Sequence, residues 1–214
     1  MSQFAPHRRH FLLQSMLLGL TLRNGWSASG PIRQGIHQLD GPLLVDGQSA
    51  DSKTPIRPGQ SVATGPEGRL VLVFGQDAFL LGAKTSVDFH AASTPAAITG
   101  FTVNSGKILS VFGKGPKLLK LPTTTIGIRG TGIFLQVEPQ RDYMCLCYGE
   151  VELRMKDTPE IIETIRAKHH DGRYLMKNAP ISKAPMSGHT DADLIMLESL
   201  VNRTPPFDSA DYRG

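Results

Sequence analysis

Two cysteines one residue apart, Cys145 and Cys147, are the residues whose types and spacing are best suited to chemistry in this chain. Alternate residues of a β-strand project to the same face, so the two thiols lie together if this stretch is a strand. Thiolates and imidazoles are the ligands that soft transition metals prefer. His169 and His170, with His189 further along, would complete such a set. One interpretation is therefore that the protein binds a soft transition metal ion, although no motif in the sequence requires a cofactor.

Two other interpretations of the cysteine pair remain open. Free cysteines often serve as small hydrophobic core residues, and an exported protein can form a disulfide. In an extended strand the Cα atoms of Cys145 and Cys147 would lie ~6.5–7 Å apart, at the upper limit for a relaxed disulfide. Two thiolates at that separation can close on one metal ion with bonds of ~2.3 Å. Neighbouring residues of a strand project to opposite faces, so only one of His169 and His170 is expected to join them.

Enzyme motifs are sparse. The sequence contains no G-x-S-x-G nucleophile motif, no H-E-x-x-H zinc motif and no EF-hand loop. Glu150 and Glu152 share one face of a predicted strand, and paired carboxylates serve glycosidases. Beside a glycine turn, however, a solvated surface is the better interpretation. We therefore expect that the protein is not an enzyme.

Residues 122–137, PTTTIGIRGTGIFLQV, place three glycines between two strand patterns. Their spacing, G-x-x-G-x-G, is not a dinucleotide-binding fingerprint, and no helix pattern follows it. A bulge or tight corner within a β-sheet explains it better. Arg129 in this stretch suits an anion clamp. A buried or half-buried arginine bonded to nearby carbonyls is the favoured interpretation, and Thr131 is expected to bond locally.

A family resemblance is carried by the same stretch. The run T-I-G-I-R-G-T-G-I-F at residues 125–134, followed by Y-G-E-V-E-L at residues 148–153, resembles the FecR domain. Residues 58–65 and 68–74 resemble a second, upstream segment of that family. The resemblance covers roughly residues 36–153.

The resemblance implies an extracytoplasmic β module of the kind found in ferric-dicitrate-type sensor regulators. It identifies Arg129, Gly130, Thr131 and Gly149 as the matching motif residues. In those regulators the domain receives a signal from an outer-membrane receptor, so an envelope protein is the implied partner.

The N-terminus resembles a twin-arginine export signal. Arg8 and Arg9 are followed, after one residue, by Phe11 and Leu12 and by an apolar run too short to span a bilayer. Residues 1–29 are therefore expected to be a cleaved leader, which leaves a soluble periplasmic protein. The leader carries three arginines and no acidic residue, so it accounts for most of the formal net charge of +4. The nearly neutral remainder gives no support for nucleic-acid binding.

The rest of the sequence predicts short strands separated by turn residues, and then one helix. Asp-Gly pairs at residues 40–41 and 46–47, and N-S-G at residues 104–106, indicate turns. We expect an all-β fold, a jelly-roll-like sandwich or barrel, with a short β-solenoid as the alternative. Residues 161–168 fit a helix or a strand, with β-branched content favouring a strand.

The predicted organisation is a leader at residues 1–29, a FecR-like β domain at 30–178 and a C-terminal segment at 179–214. The C-terminal segment contains a helix over about residues 191–202 and a mobile tail. The predicted function is a periplasmic FecR-like binding or sensing module that acts through protein–protein contact in envelope signalling. A small-ligand or metal-binding periplasmic protein is the alternative. Because a cleavable leader stands where regulators have a cytoplasmic segment and a membrane anchor, direct contact with a sigma factor is not expected.

Overall fold

A computed structural model describes residues 30–156, 159–177 and 179–207, which comprise fifteen strands and one helix. The first eight strands are β1 (Gly35–Asp40), β2 (Leu43–Val45), β3 (Gln48–Ala50), β4 (Ser61–Thr64), β5 (Arg69–Phe74), β6 (Asp77–Leu81), β7 (Ser86–Ala91) and β8 (Ile98–Val111). They are followed by β9 (Pro116–Lys120), β10 (Thr124–Arg129), β11 (Gly132–Val137), β12 (Asp142–Met155), β13 (Ile161–Ala167), β14 (Asp171–Met176), β15 (Ala179–Ala184) and α1 (Asp191–Leu200). The predicted twin-arginine leader and the predicted mobile tail after Phe207 lie outside the described residues.

The strands form two packed sheets, and the prediction of an all-β fold with one C-terminal helix is confirmed. The helix-side sheet has the order β1-β5-β6-β8-β11-β12-β14-β15. The far sheet has the order β3-β2-β4-β7-β8-β9-β10-β12-β13. Among the described strands, β8 and β9 form the one parallel pair. Antiparallel pairing elsewhere excludes the stacked coils of the solenoid alternative.

Two long strands, β8 and β12, cross from one sheet to the other. The first half of β8 pairs with β7 in the far sheet, and the half after Ser105 pairs with β6 and β11. The first half of β12 pairs with β11 and β14, and the half from Gly149 pairs with β10 and β13. Gly106 and Gly149 stand at the two crossings with φ of 80° and 101°. The expectation of a turn at residues 104–106 is therefore wrong, because this glycine bends one continuous strand.

Two hydrophobic layers result from the alternation of side chains along the strands. The main core lies between the sheets and contains a group of edge-on phenylalanines, including Phe79, Phe89 and Phe101. The second layer lies between the outer face of the helix-side sheet and α1. There the buried helix residues Leu194, Leu197 and Val201 pack beside strand residues such as Val71, Val73 and Leu80. The helix thus docks its apolar stripe on the β body.

The helix begins with a capping box, in which the Thr190 side chain accepts from the Asp193 N–H and the Asp193 carboxylate accepts from the Thr190 N–H. It ends at Leu200, two residues before the predicted end. Strand β15 pairs with β14, so residues 179–184, which the sequence analysis assigns to the C-terminal segment, extend the helix-side sheet. Residues 161–167 form a strand, as their β-branched content favours. No helix among the described residues is both long and apolar enough to cross a membrane.

Candidate metal centre

Strand β12 places both cysteines in the second hydrophobic layer. Met144 and Leu146 point into the main core, whereas Cys145 and Cys147 point toward the helix. The pairing of β12 with β11 shifts by one residue at Cys147, between the partners Leu146 and Tyr148. Such a bulge re-aims side chains. The two cysteines are free thiols with no solvent exposure.

Two histidines approach the thiols from other elements. His170 lies in the bend between β13 and β14, where its φ of 42° turns the chain and its backbone N–H donates to the Cys147 carbonyl at 3.0 Å. His189 lies just before the helix cap Thr190, with its ring stacked on Phe134 at a centroid distance of 4.6 Å. A strand, a bend and a helix entrance therefore converge on one buried point.

The donor atoms at this point lie at distances that suit one tetrahedral metal ion. All four lie within 4.8 Å of one another. Cys145 Sγ lies 3.5 Å from His170 Nδ1, Cys147 Sγ lies 3.3 Å from His189 Nε2, and the two nitrogens lie 3.3 Å apart. Tetrahedral zinc, with bonds of ~2.3 Å to sulfur and ~2.0–2.1 Å to nitrogen, places sulfur and nitrogen about 3.6 Å apart and two nitrogens about 3.3–3.4 Å apart. The arrangement therefore matches a preformed site for one such ion.

The outer partners of the two rings determine which nitrogen faces the thiols. His170 Nε2 lies 2.7 Å from an Asp191 carboxylate oxygen, and His189 Nδ1 lies 3.0 Å from the Ser187 carbonyl oxygen. Both oxygens only accept hydrogen bonds, so in each neutral ring the outer nitrogen carries the proton and the inner nitrogen presents a lone pair. Metal-binding histidines in proteins are oriented by such carboxylate or carbonyl partners. With both rings neutral, the two inward lone pairs lie 3.3 Å apart, and a proton or a metal ion shared at this point relieves their repulsion.

The thiols are electrostatically unequal when considered without a cation. A hydrogen bond from Cys147, supported by His170 and His189, lowers the pKa of Cys145 to about 3 against the effect of burial. Burial, and then the neighbouring Cys145 sulfur, raise the pKa of Cys147 well above its usual range. Burial favours neutral His170, but Cys145 and Asp191 outweigh it and raise the pKa of that ring. The protein thus stabilises one thiolate by itself, and a divalent cation would allow the second.

His169 lies beside this cluster and not in it. Its Nε2 lies 3.1 Å from both carboxylate oxygens of Asp191, and its ring contacts Phe207 at a centroid distance of 4.6 Å. The expectation that His169 and His170 project to opposite sides assumed that both lie on a strand. That assumption is wrong, because they lie in the bend between β13 and β14. Both rings reach Asp191, and only His170 also reaches the thiols.

The residues matched to the FecR motif form the corner at which β12 changes sheets. Thr131 Oγ1 donates to the carbonyls of Arg129, at 3.1 Å, and of Glu150, at 3.3 Å. Gly130 turns the chain between β10 and β11 with φ of 57°. A Cβ on Gly149 would lie 3.0 Å from Thr131 Oγ1. These contacts assign the two glycines and Thr131 to the geometry of the corner.

Arg129 differs from the prediction, because its side chain is exposed and not buried among carbonyls. Strand β10 alternates, so Ile126 and Ile128 point into the main core and Arg129 points outward. With Gly127 it lines an open groove of about 780 Å³ on the outer face of the far sheet. Glu150 and Glu152 line the same groove, as solvated residues.

Comparison with known protein families gives no match to this sequence, and no curated protein matches it either. Two solved structures are similar, both crystal structures of "a putative anti-sigma factor" from Parabacteroides distasonis. One has a TM-score of 0.49 and 12% identity over 64% of each chain. The other has a TM-score of 0.47 and 12% identity over 58% of each chain. The chain thus spans less than two thirds of either structure, and likeness at this level carries no information about function.

Sequence reasoning missed Asp191 and Ser187 as partners of the cluster. Asp191 has the signal of a helix first-turn carboxylate, which explains it without reference to any histidine. Ser187 contributes only its backbone carbonyl, for which no residue type is diagnostic. Both contacts depend on the docking of the C-terminal segment against β12.

Proposed function

We propose that this protein binds one Zn²⁺ ion through Cys145, Cys147, His170 and His189. The observation that carries the proposal is the convergence of two sulfurs and two inward-facing ring nitrogens within 4.8 Å of one another, with three of their separations at 3.3–3.5 Å. Hydrophobic packing alone would account for buried cysteines. It would not account for two histidines whose outer nitrogens are both bonded to acceptors.

Charge and ligand type favour zinc over harder cations. Two thiolates and Zn²⁺ together are neutral, which suits a site whose sulfurs have no solvent exposure. Thiolate ligands disfavour magnesium and calcium, which prefer oxygen. Four protein ligands leave no open coordination position, so the centre is structural and we propose a binding protein, not an enzyme.

The test is metal content and affinity in the purified protein. We expect one zinc per chain by elemental analysis, and thiols that react only after chelation or unfolding. Substitution with Co²⁺ should give the intense visible absorption of tetrahedral thiolate coordination. Cys145→Ser, Cys147→Ser and His170→Ala should each lower the zinc affinity at least about 10-fold. His37→Ala, which removes a half-buried histidine of β1 outside the cluster, is the matched control. A wild-type protein that binds zinc no better than Cys147→Ser would refute the proposal.

A second proposed function, protein contact in envelope signalling, rests on the resemblance to FecR domains and on the groove beside Arg129. We propose that the exported protein presents this groove to an envelope partner. The mixed charges of Arg129, Glu150 and Glu152 and the half-exposed Leu118 suit a polypeptide surface. A photo-crosslinking residue at position 118 should capture one partner in whole cells. Arg129→Glu should abolish that product, while the same crosslinker on exposed Leu44 in β2 should not form it. Equal products from both positions would contradict the assignment.

A further inference from the structure

We infer that the metal ion is a latch that holds the C-terminal segment, residues 185–207, on the helix-side sheet. This inference rests on the proposed zinc centre and concerns what the ion controls. Three of the four ligands belong to the β body, since Cys145 and Cys147 lie on β12 and His170 lies in the β13–β14 bend. His189 is the ligand from the segment. A bound ion is therefore a crosslink between the two.

The crosslink is placed at the entrance of α1, where it constrains the helix most directly. His189 is next to the helix cap Thr190, and Asp191 in the first turn accepts from His170. If the segment leaves, His170 loses Asp191 as well as its fellow ligand. Metal binding and helix docking therefore use the same contacts and favour each other.

Other contacts among the described residues also hold the segment without the metal, and they are both apolar and polar. Arg69 pairs with Asp193 at 3.1 Å, and Arg203 donates to the Gln76 carbonyl at 2.7 Å. Tyr148 donates to the buried carboxylate of Glu198. These polar contacts and the buried apolar residues of the segment allow the helix to dock when the ion is absent.

Opening of the latch would uncover an apolar surface. The segment covers a face of the helix-side sheet that includes Val71, Val73 and Leu80. The docked protein offers the ion four ligands, and the open protein offers three. Saturating zinc therefore raises the ratio of docked to open protein by the ratio of the zinc affinities of the two forms. Loss of a hydrogen-bond partner of a ligand already costs about 10–100-fold in metal affinity, so loss of a ligand itself should change the ratio of docked to open protein by at least about 10-fold.

Amide hydrogen exchange of the whole protein, followed by mass spectrometry, tests the latch. We expect chelation to speed exchange of the α1 amides by about 10-fold or more, with the amides of β5 and β6 unchanged. In His189→Ala, α1 should exchange fast with or without zinc, although the three remaining ligands still bind the ion. Arg69→Ala is the matched variant that weakens docking from outside the centre. This variant should raise the exchange rate of the α1 amides in both zinc-loaded and zinc-free protein, and chelation should still speed that exchange.

Three outcomes would overturn the inference. Equal α1 exchange in zinc-loaded and zinc-free protein, with zinc shown to bind, removes the latch and leaves the metal centre intact. Exchange that rises throughout the β-sheets on chelation shows that the ion stabilises the whole domain and not the segment. A wild-type protein that takes up no zinc overturns the metal centre and the latch together.

Discussion

Alanine at Gly149 should destabilise the protein far more than alanine at Gly130, although both glycines belong to the same corner. The φ of Gly149 is 101°, a region that residues with a Cβ rarely adopt, and a residue held there costs about 1–3 kcal/mol. Its added Cβ would also lie 3.0 Å from Thr131 Oγ1, 3.2 Å from Thr131 Cα and 3.3 Å from the Gly130 carbonyl oxygen. Two of these three atoms belong to the backbone and cannot rotate away. Overpacking of this kind costs a further ~1–3 kcal/mol.

Gly149→Ala should therefore lose about 2–6 kcal/mol of the ~5–15 kcal/mol by which small domains are stable. Gly130 differs, because its φ of 57° lies in the left-handed region and a Cβ there would meet open space. Apart from its chain neighbours, no atom of the described residues lies within 4 Å of the position that this Cβ would take. Gly130→Ala should cost only about 1–2 kcal/mol, and the β-branched Gly130→Val somewhat more.

Urea denaturation at fixed zinc concentration measures the difference. The midpoint should fall much further for Gly149→Ala than for Gly130→Ala, with little change in the slope of either transition. Equal midpoints for the two variants would refute the reasoning, since they differ mainly in the close contacts across the corner.

Three further predictions concern the metal partners, the groove and export. Asp191→Asn removes the carboxylate that accepts from His170 and should weaken zinc binding about 10–100-fold in chelator competition; unchanged affinity would show that Asp191 does not orient the ring. Arg129→Ala should change the free energy of unfolding by less than about 0.5 kcal/mol, because the side chain is exposed; a larger loss in thermal denaturation would show a structural role. Replacing Arg8 and Arg9 by lysine should reduce the processed periplasmic form, as measured by fractionation; undiminished export would contradict a twin-arginine signal.

The β architecture was accessible from the sequence because its signals are local. Alternating apolar residues and Asp-Gly turns predict short strands, and Thr190 with the apolar stripe of residues 194–201 predicts the helix. The continuity of β8 was not accessible, since a glycine with positive φ serves a tight turn and a strand crossing equally well. Gly106 lies at a strand crossing. Strand β15 was missed because its sequence, APISKA, contains a proline and no buried residue, and because it forms the edge of its sheet.

The candidate metal centre shows which ligands can be predicted from residue types in the sequence and which cannot. Cys145 and Cys147 are paired by strand periodicity alone, so sequence places their sulfurs together without any knowledge of the fold. The choice of histidine is different, because it depends on a bend that gives His170 a positive φ and on a helix entrance that brings His189 across the sheet. The lone pairs of both rings are then directed by acceptors that carry no metal-binding signature. Of the four ligands, the two cysteines are therefore predictable from local sequence, whereas the two histidines are brought to the site by tertiary structure. The tertiary contacts are also the ones that link metal binding to the docking of α1.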